Sequence, residues 1–104
     1  MALIVPLRPV PRQTVQIVLA DQSCEISVYQ QDYGLYVDLS VSNALVIGGV
    51  IALNMTRIVR DAYLGFAGDL IFQDVEDDAD PVYTGLGTRF LLNYLTAADL
   101  AGAG

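Results

Sequence analysis

The sequence predicts an all-β protein, namely a small antiparallel β-sandwich or barrel of six to seven strands with at most one short helix. Three observations predict this fold class. Apolar and polar residues alternate with period two over residues 14–41, which is typical of strands with one buried face. Short turn segments at residues 21–22 and 31–34 divide this region into successive runs. A chain of 104 residues with no internal repeat has the length of one domain.

The N-terminal segment, residues 1–13, is predicted to be an extended proline-rich arm. Pro6, Pro9 and Pro11 favour an extended backbone and remove hydrogen-bond donors, so the segment is either an edge strand or a packed arm. Arms of this kind often reach a neighbouring subunit. Truncation of residues 1–11 is therefore expected to leave a folded domain that fails to assemble.

Residues 14–96 are predicted to form a single β-domain, followed by a flexible tail of small residues at 97–104. The domain begins with an antiparallel meander, because alternating runs follow one another with short turns. The residues on its apolar face are Val15, Ile17, Leu19, Cys24, Ile26, Val28, Leu35, Val37, Leu39 and Val41. In this position Cys24 is interpreted as a small buried apolar residue rather than a reactive thiol.

The second half of the domain has less regular patterns. Residues 44–53 are apolar without alternation, which predicts a strand buried on both faces, with a bulge or kink at the Gly48-Gly49 pair. Residues 54–65 can form one short helix capped by Asn54, although an irregular loop fits the same anchors nearly as well. Two further strands are predicted around residues 69–75 and 88–95.

The composition excludes several classes of function. The chain has 12 acidic residues against five arginines, with no lysine and no histidine, and a net charge of -7. Specific nucleic-acid binding needs a basic stripe and is not expected, although an acidic surface suits a channel through which DNA passes. Without histidine or lysine the commonest general base and Schiff-base chemistry are missing, so we expect no enzyme and no cofactor. The longest apolar run is too short to span a bilayer, so no membrane association is expected.

The apolar fraction points to assembly. Hydrophobic residues make up 54% of the chain and charged residues only 16%, which is an apolar-rich balance for a small domain. A chain of this size cannot bury all of its apolar side chains in one core. We therefore expect part of the surface to face a partner subunit in a homo-oligomer.

The densest cluster of chargeable groups lies between the last two predicted strands, in residues 74–89. It is either a solvated or channel-facing acidic patch or, alternatively, the loop of a calcium-dependent binding module. The carboxylates involved are Asp74, Glu76, Asp77, Asp78 and Asp80. The calcium pattern fails at two demanding positions, because Ala79 and Gly85 stand where glycine and glutamate are needed. The acidic patch is favoured, and Arg89 is expected to pair with a carboxylate of the same loop.

Short segments along the whole chain carry a resemblance to a known family. They are Val5-Pro-Leu, Gln13-Thr-Val, the apolar residues 45–53, Tyr63-Leu-Gly, Gly68-Asp-Leu-Ile-Phe, Asp78-Ala-Asp-Pro and Leu86-Gly-Thr-Arg. In this order they resemble the baseplate plug family of contractile-tailed bacteriophages. The last two segments, at their mutual spacing, are the most specific, and none is a catalytic motif.

The resemblance implies a small structural protein of the virion, located in the tail baseplate near the junction of tail tube and central hub. It implies no enzymatic activity. The expected partners are further copies of the chain, assembled as a ring through β-edge and arm contacts, and the tail tube and hub proteins. Assembly is expected in the cytoplasm of the bacterial host. The candidate subunit-interface residues are Ile4, Val5, Leu7, Arg8, Val10, Arg12 and Tyr63.

Overall fold

The computed structural model describes residues 3–59, 66 and 68–96. These residues form seven β-strands and a single turn of 3-10 helix. The strands are β1 (Leu3–Val5), β2 (Arg12–Leu19), β3 (Gln22–Gln31), β4 (Gly34–Val41), β5 (Ala44–Ile51), β6 (Asp69–Asp74) and β7 (Phe90–Leu95), and the 3-10 turn is Tyr83–Gly85. The predicted all-β fold class is confirmed.

The strands form two antiparallel sheets. Strands β2, β3, β4 and β5 follow one another in a four-stranded meander, whereas the second sheet has the order β1, β7, β6. Ile26 lies opposite Leu39 in the larger sheet, and Phe72 lies opposite Leu92 in the smaller one. Both sheets contribute these residues to one hydrophobic core. The molecule is therefore a β-sandwich, and the predicted meander is confirmed and continues into β5.

The core is deepest between the central strands and thins toward the flanks of the larger sheet. Leu35, Val37 and Leu39 of β4 are each 0% exposed. By contrast, Val15 and Ile17 of β2 and Ile47 and Val50 of β5 are only partly buried. A sheet of four strands is wider than the sheet of three strands that covers it. Its two outer strands consequently keep half-covered apolar faces.

Cys24 lies within this core, with 3% of its surface exposed. Burial raises the pKa of its thiol. A raised pKa disfavours the thiolate, which is the reactive form. The interpretation of Cys24 as a buried apolar residue is confirmed.

Two hairpins of the larger sheet turn through non-glycine residues with positive φ. Ala20 and Asp21 have φ of 50° and 62°, and Ser42 and Asn43 have φ of 50° and 67°. Two-residue turns with positive φ at both positions match the twist of antiparallel strands. The first of these turns lies one residue earlier than the sequence predicts, and it places an alanine where a Cβ atom is sterically costly.

Replacement of Ala20 by glycine is expected to stabilise the fold by about 1 kcal/mol, because glycine adopts positive φ without a Cβ clash. The matched control is Ala44→Gly, the same change in an exposed strand residue, which is expected to cost about 0.5–1 kcal/mol. Urea denaturation of the two variants measures both signs. Destabilisation of both variants to the same extent would contradict the positive-φ turn.

The apolar run after the second of these turns is an edge strand, not the doubly buried strand that the sequence predicts. Among the described strands β5 pairs with β4 alone, and Leu45 keeps 68% of its surface exposed. The predicted bulge is confirmed, since the register of β5 against β4 shifts in this region. Gly49 has φ of 66° and donates its N–H to Oδ1 of Asp38 at 2.6 Å. That hydrogen bond fixes the bulge to β4.

The segment that follows β5 does not begin the predicted helix. Asn54 forms a parallel bridge with Phe72, and the N–H of Ile58 donates to the carbonyl oxygen of Leu70 at 2.9 Å. In this covering segment, Asn54 to Val59, the N–H groups of Met55 and Ile58 therefore donate to backbone carbonyls of β6 rather than to a preceding turn of helix. Residues 60–65, the remainder of the predicted helix, lie outside the described residues, as does the predicted tail at 97–104.

The proline-rich N-terminal segment is part of the fold of its own chain. β1 is an edge strand along β7, as one of the two sequence alternatives predicts, with Val5 opposite Leu92. Val5 and Leu7 belong to the core, at 1% and 8% exposure. Buried Gln13 accepts from the N–H of Arg8 at 3.0 Å and donates to its carbonyl oxygen at 2.6 Å. Because it supplies core residues, this segment does not stand apart from the domain.

Candidate functional site

The connection between β6 and β7, residues 75–89, contains the acidic cluster and both specific sequence segments. It leaves β6 at Asp74, whose side chain is inaccessible to solvent. Leu70, Phe72 and Asp74 occupy alternate positions of β6 and are all buried. The strand geometry therefore directs a carboxylate inward at the point where the connection begins.

The two carboxylate oxygens of Asp74 organise the loop. Oδ1 accepts from the N–H of Glu76 and from Nε of Arg89, both at 2.9 Å. Oδ2 accepts from the N–H of Ala79 at 2.9 Å and from Nη2 of Arg89 at 2.8 Å. Arg89 thus holds the carboxylate at two points, which is a strong and directional arrangement. The predicted pairing of Arg89 with a carboxylate of its own loop is confirmed.

Electrostatics of this pair favour the charged state of both partners. The hydrogen bonds from Arg89, supported by the backbone donors, hold the pKa of Asp74 well below its ordinary range. The same contact raises the pKa of Arg89. Since the carboxylate stays ionised and fully occupied, Asp74 acts as a structural anchor and not as a general acid or base.

The segment Asp78-Ala-Asp-Pro ties the loop to its surroundings. Ala79 donates to Asp74, and Asp80 accepts from the N–H of Asn54 at 2.9 Å. Asn54 in turn accepts from the N–H of Asp74 through its side-chain oxygen at 2.9 Å. Asn54 therefore joins the covering segment, the end of β6 and the loop.

The segment Leu86-Gly-Thr-Arg closes the loop onto β7 and onto the N-terminal segment. Leu86 is fully buried and forms a bridge with Phe90. Gly87 has φ of 83°, and a Cβ atom at this position would collide with the carbonyl oxygen of Leu7. Only glycine combines this backbone conformation with so close an approach. The glycine of the segment therefore serves the contact between the loop and residues before β2.

Four of the five predicted patch residues are at the surface. Glu76, Asp77, Asp78 and Asp80 are exposed, whereas Asp74 is buried and compensated by Arg89. Asp74 is therefore not part of the exposed patch, because the alternation of β6 turns it inward. The other four carboxylates form an acidic surface on a loop whose backbone is held by hydrogen bonds to the buried side chain of Asp74.

The geometry does not support the calcium alternative. Within the described ranges, no three acidic or cysteine side chains are placed to hold one metal ion. The first ligand of the calcium pattern is Asp74, and both of its oxygens already accept hydrogen bonds from Arg89 and the backbone. A calcium loop would need that carboxylate free.

A second buried aspartate, which the sequence did not single out, lies at the start of β6. Asp69 is 0% exposed and accepts from the N–H of Val59 at 2.7 Å and from Nε of Arg57 at 2.9 Å. β6 thus begins and ends with a buried aspartate paired to an arginine. The sequence could not reveal it, because an acidic residue after a glycine at the start of a strand is equally typical of a turn.

The predicted subunit-interface residues differ in exposure. Val5 and Leu7 are buried in the core of their own chain and are not available at the surface. The exposed or half-buried members of the set are Ile4, Arg8, Val10 and Arg12. Tyr63 lies outside the described residues. The surface that the segment can offer to a partner is therefore smaller and more polar than the sequence predicts.

The most exposed large apolar side chains of the larger sheet lie elsewhere. Val18 on β2 is 64% exposed, Leu45 on β5 is 68% exposed, and Tyr33 at the turn between β3 and β4 is 89% exposed. The sequence did not mark them as contact residues, because alternation alone does not distinguish the two faces of an edge strand.

No helix in the described part of the chain is long and apolar enough to cross a membrane. A protein-family model described as cyanophage baseplate Pam3 plug gp18 matches residues 1–97. That range contains all seven strands and both specific loop segments. No curated protein matches the chain.

Proposed function

Because the chain belongs to the cyanophage baseplate plug family, we propose that it sits at the junction of tail tube and central hub in a contractile phage tail. Membership itself gives a structural role in the tail baseplate of the virion, in association with other baseplate components. The finer proposal is that several copies form a ring at this junction. It includes assembly in the cytoplasm of the bacterial host.

The family match over residues 1–97 carries this proposal, and the chemistry of the chain agrees with it. Two polar groups of the smaller sheet, Asp69 and Asp74, are buried and paired with arginines. Both carboxylates stabilise connections between segments of the fold. A structural family together with this use of polar groups favours a protein without catalytic activity.

The half-covered flanks of the larger sheet support assembly into a homo-oligomer. Each flank combines partly buried inward residues with a largely exposed outward one, Val18 or Leu45. Surfaces of this kind are typical of contacts between subunits. Arg12 is the first residue of β2 and Arg8 precedes the strand; both are exposed and supply polar contacts at the same flank.

We propose in addition that the exposed acids of the 75–89 loop face the channel. Glu76, Asp77 and Asp78 are exposed on a loop whose shape is fixed by Asp74. A fixed acidic surface repels DNA phosphates and so prevents adhesion of a passing genome. The absence of lysine from the chain suits the same role.

A map of the intact phage particle tests the proposal directly. The expected result is density for this chain as a ring between the last tube layer and the hub, with the 75–89 loop toward the axis. A pull-down of tube and hub proteins by the full chain gives a second measurement, with an unrelated acidic β-protein as control. Absence of the chain from purified tails, with no binding to either protein, would overturn the proposal.

A further inference from the structure

The four edges of the two sheets differ in their protection against pairing with another chain. β1 is three residues long and is followed by Pro6, and the outer edge of β6 is covered by the segment that contains Asn54 and Ile58. Short strands, proline and covering segments are the usual means by which proteins block an edge. The described edges that lack such cover are those of β2 and β5.

β2 and β5 match each other in length and direction. Both are eight residues long. Because the larger sheet has four antiparallel strands, its two edge strands run in opposite directions. A rotation that preserves strand direction therefore places β2 of one copy antiparallel to β5 of the next, which continues the sheet without a break in pattern.

The bulge in β5 does not remove this edge from pairing. A bulge commonly protects an edge by twisting the strand away from a position in which another strand could pair with it. In β5 the N–H of Gly49 instead points toward the neighbouring strand β4, where it donates to Oδ1 of Asp38 at 2.6 Å. The strand residues before the glycine pair carry no charge and no proline. They remain a neutral apolar edge.

Side chains on the two edges complement each other. Leu45 and Val18, at 68% and 64% exposure, are the large apolar residues of β5 and β2 that extend into solvent. Beside β2 an open groove of about 560 Å³ is lined by Ile17, Val18 and Cys24 together with polar residues of β2, β3 and the β4–β5 turn, among them Glu25. Such a groove offers a partner side chain apolar contacts with Ile17 and Val18 within a partly polar lining. Pairing of β5 with β5 would leave this groove and Val18 uncovered.

We propose that β5 of one copy pairs antiparallel with β2 of the next copy, with Leu45 placed against Val18 of the partner subunit. The inference rests on the ring proposed above and names the edges that build it. Charge favours this contact: between them the two strands carry one charged residue, Arg12, and no acidic residue, although each chain has a net charge of -7. Like charges therefore do not oppose each other at the contact.

Disulfide trapping in assembled tails tests the pairing. The double variant Val18→Cys/Leu45→Cys is made in a Cys24→Ala background, so that no native thiol competes. Residues directly opposite on neighbouring strands have Cα atoms about 4.5–5.5 Å apart, which a disulfide can bridge. The expected result on a non-reducing gel is a ladder of linked copies that contains most of the chain. Each single variant is expected to remain monomeric.

The matched control is Val18→Cys/Tyr33→Cys, because Tyr33 is 89% exposed but lies at a turn. Linked dimers from Leu45→Cys alone would overturn the proposal in favour of β5 with β5. No ladder beyond the control, in tails that contain the chain, would overturn the edge pairing and leave the baseplate position intact. Absence of the unaltered chain from purified tails would instead overturn the proposed function, and the inference with it.

Discussion

Deletion of residues 1–7 is expected to abolish cooperative folding rather than detach an accessory arm. The deletion removes β1 from β7 and takes Val5 and Leu7 out of the core. Burial of one such side chain contributes roughly 1.5–3 kcal/mol. Since a small domain has a total stability of about 5–15 kcal/mol, the loss of both side chains and of the strand pairing is severe. Thermal denaturation followed by circular dichroism measures the effect.

Point variants measure the effect of losing a buried side chain without shortening the chain. Leu7→Ala is expected to destabilise the fold by about 2–5 kcal/mol, because it leaves a cavity in the hydrophobic core. Ile4→Ala serves as the control, since Ile4 lies in β1 but is 51% exposed, and its cost is expected to stay below about 1 kcal/mol. A fragment of residues 8–104 that melts like the full chain would contradict the role of this segment.

The centre of the fold could be predicted because its pattern and its burial agree. β3 and β4 lie between two neighbours and beneath the smaller sheet, so one face is buried and the other is not. Alternation in the sequence reports that arrangement directly. The pairing of β1 with β7 could not be predicted in the same way, because it joins the two ends of the chain and leaves no local signal.

In β5 the hydrophobicity of the sequence does not correspond to burial in the structure. Its run of apolar residues predicts complete burial, yet the strand lies at an edge and its register shifts at the bulge. An apolar sequence pattern indicates which side chains are shielded from water in the functional state. It does not indicate whether residues of the same chain or of a partner provide that shielding. An apolar strand exposed in the single chain is what a contact between subunits requires.

In the candidate site, residue type alone could not separate structural from surface carboxylates. Asp74 and Asp78 lie in one acidic run, but only Asp74 continues the inward alternation of Leu70 and Phe72. That alternation is the sequence signal that identifies it. The role of Asn54 had no such signal, because its three-way contact depends on how distant segments meet.

Asp74→Asn is expected to lower the melting temperature by on the order of 10 °C, because it removes the charge of the buried carboxylate that Arg89 holds at two points. The amide also presents a donor to backbone N–H groups of Glu76 or Ala79, which need an acceptor. The control is Asp78→Asn, an exposed carboxylate in the same loop, with an expected change within about 4 °C. Equal melting temperatures for the two variants would show that the pair with Arg89 does not organise the loop.

The pH dependence of stability provides a second, independent measure of the same pair. The pKa of Asp74 is lower in the folded chain than its ordinary value of 3.8. The unfolded chain therefore takes up the proton first as the pH falls, and the stabilisation by this group is complete above the ordinary value and lost below it. The melting temperature of the unaltered chain should fall more steeply than that of Asp74→Asn between about pH 5 and pH 2. Because Asp69 and the exposed acids are common to both proteins, parallel curves would mean that Asp74 is not the group whose protonation loosens the fold.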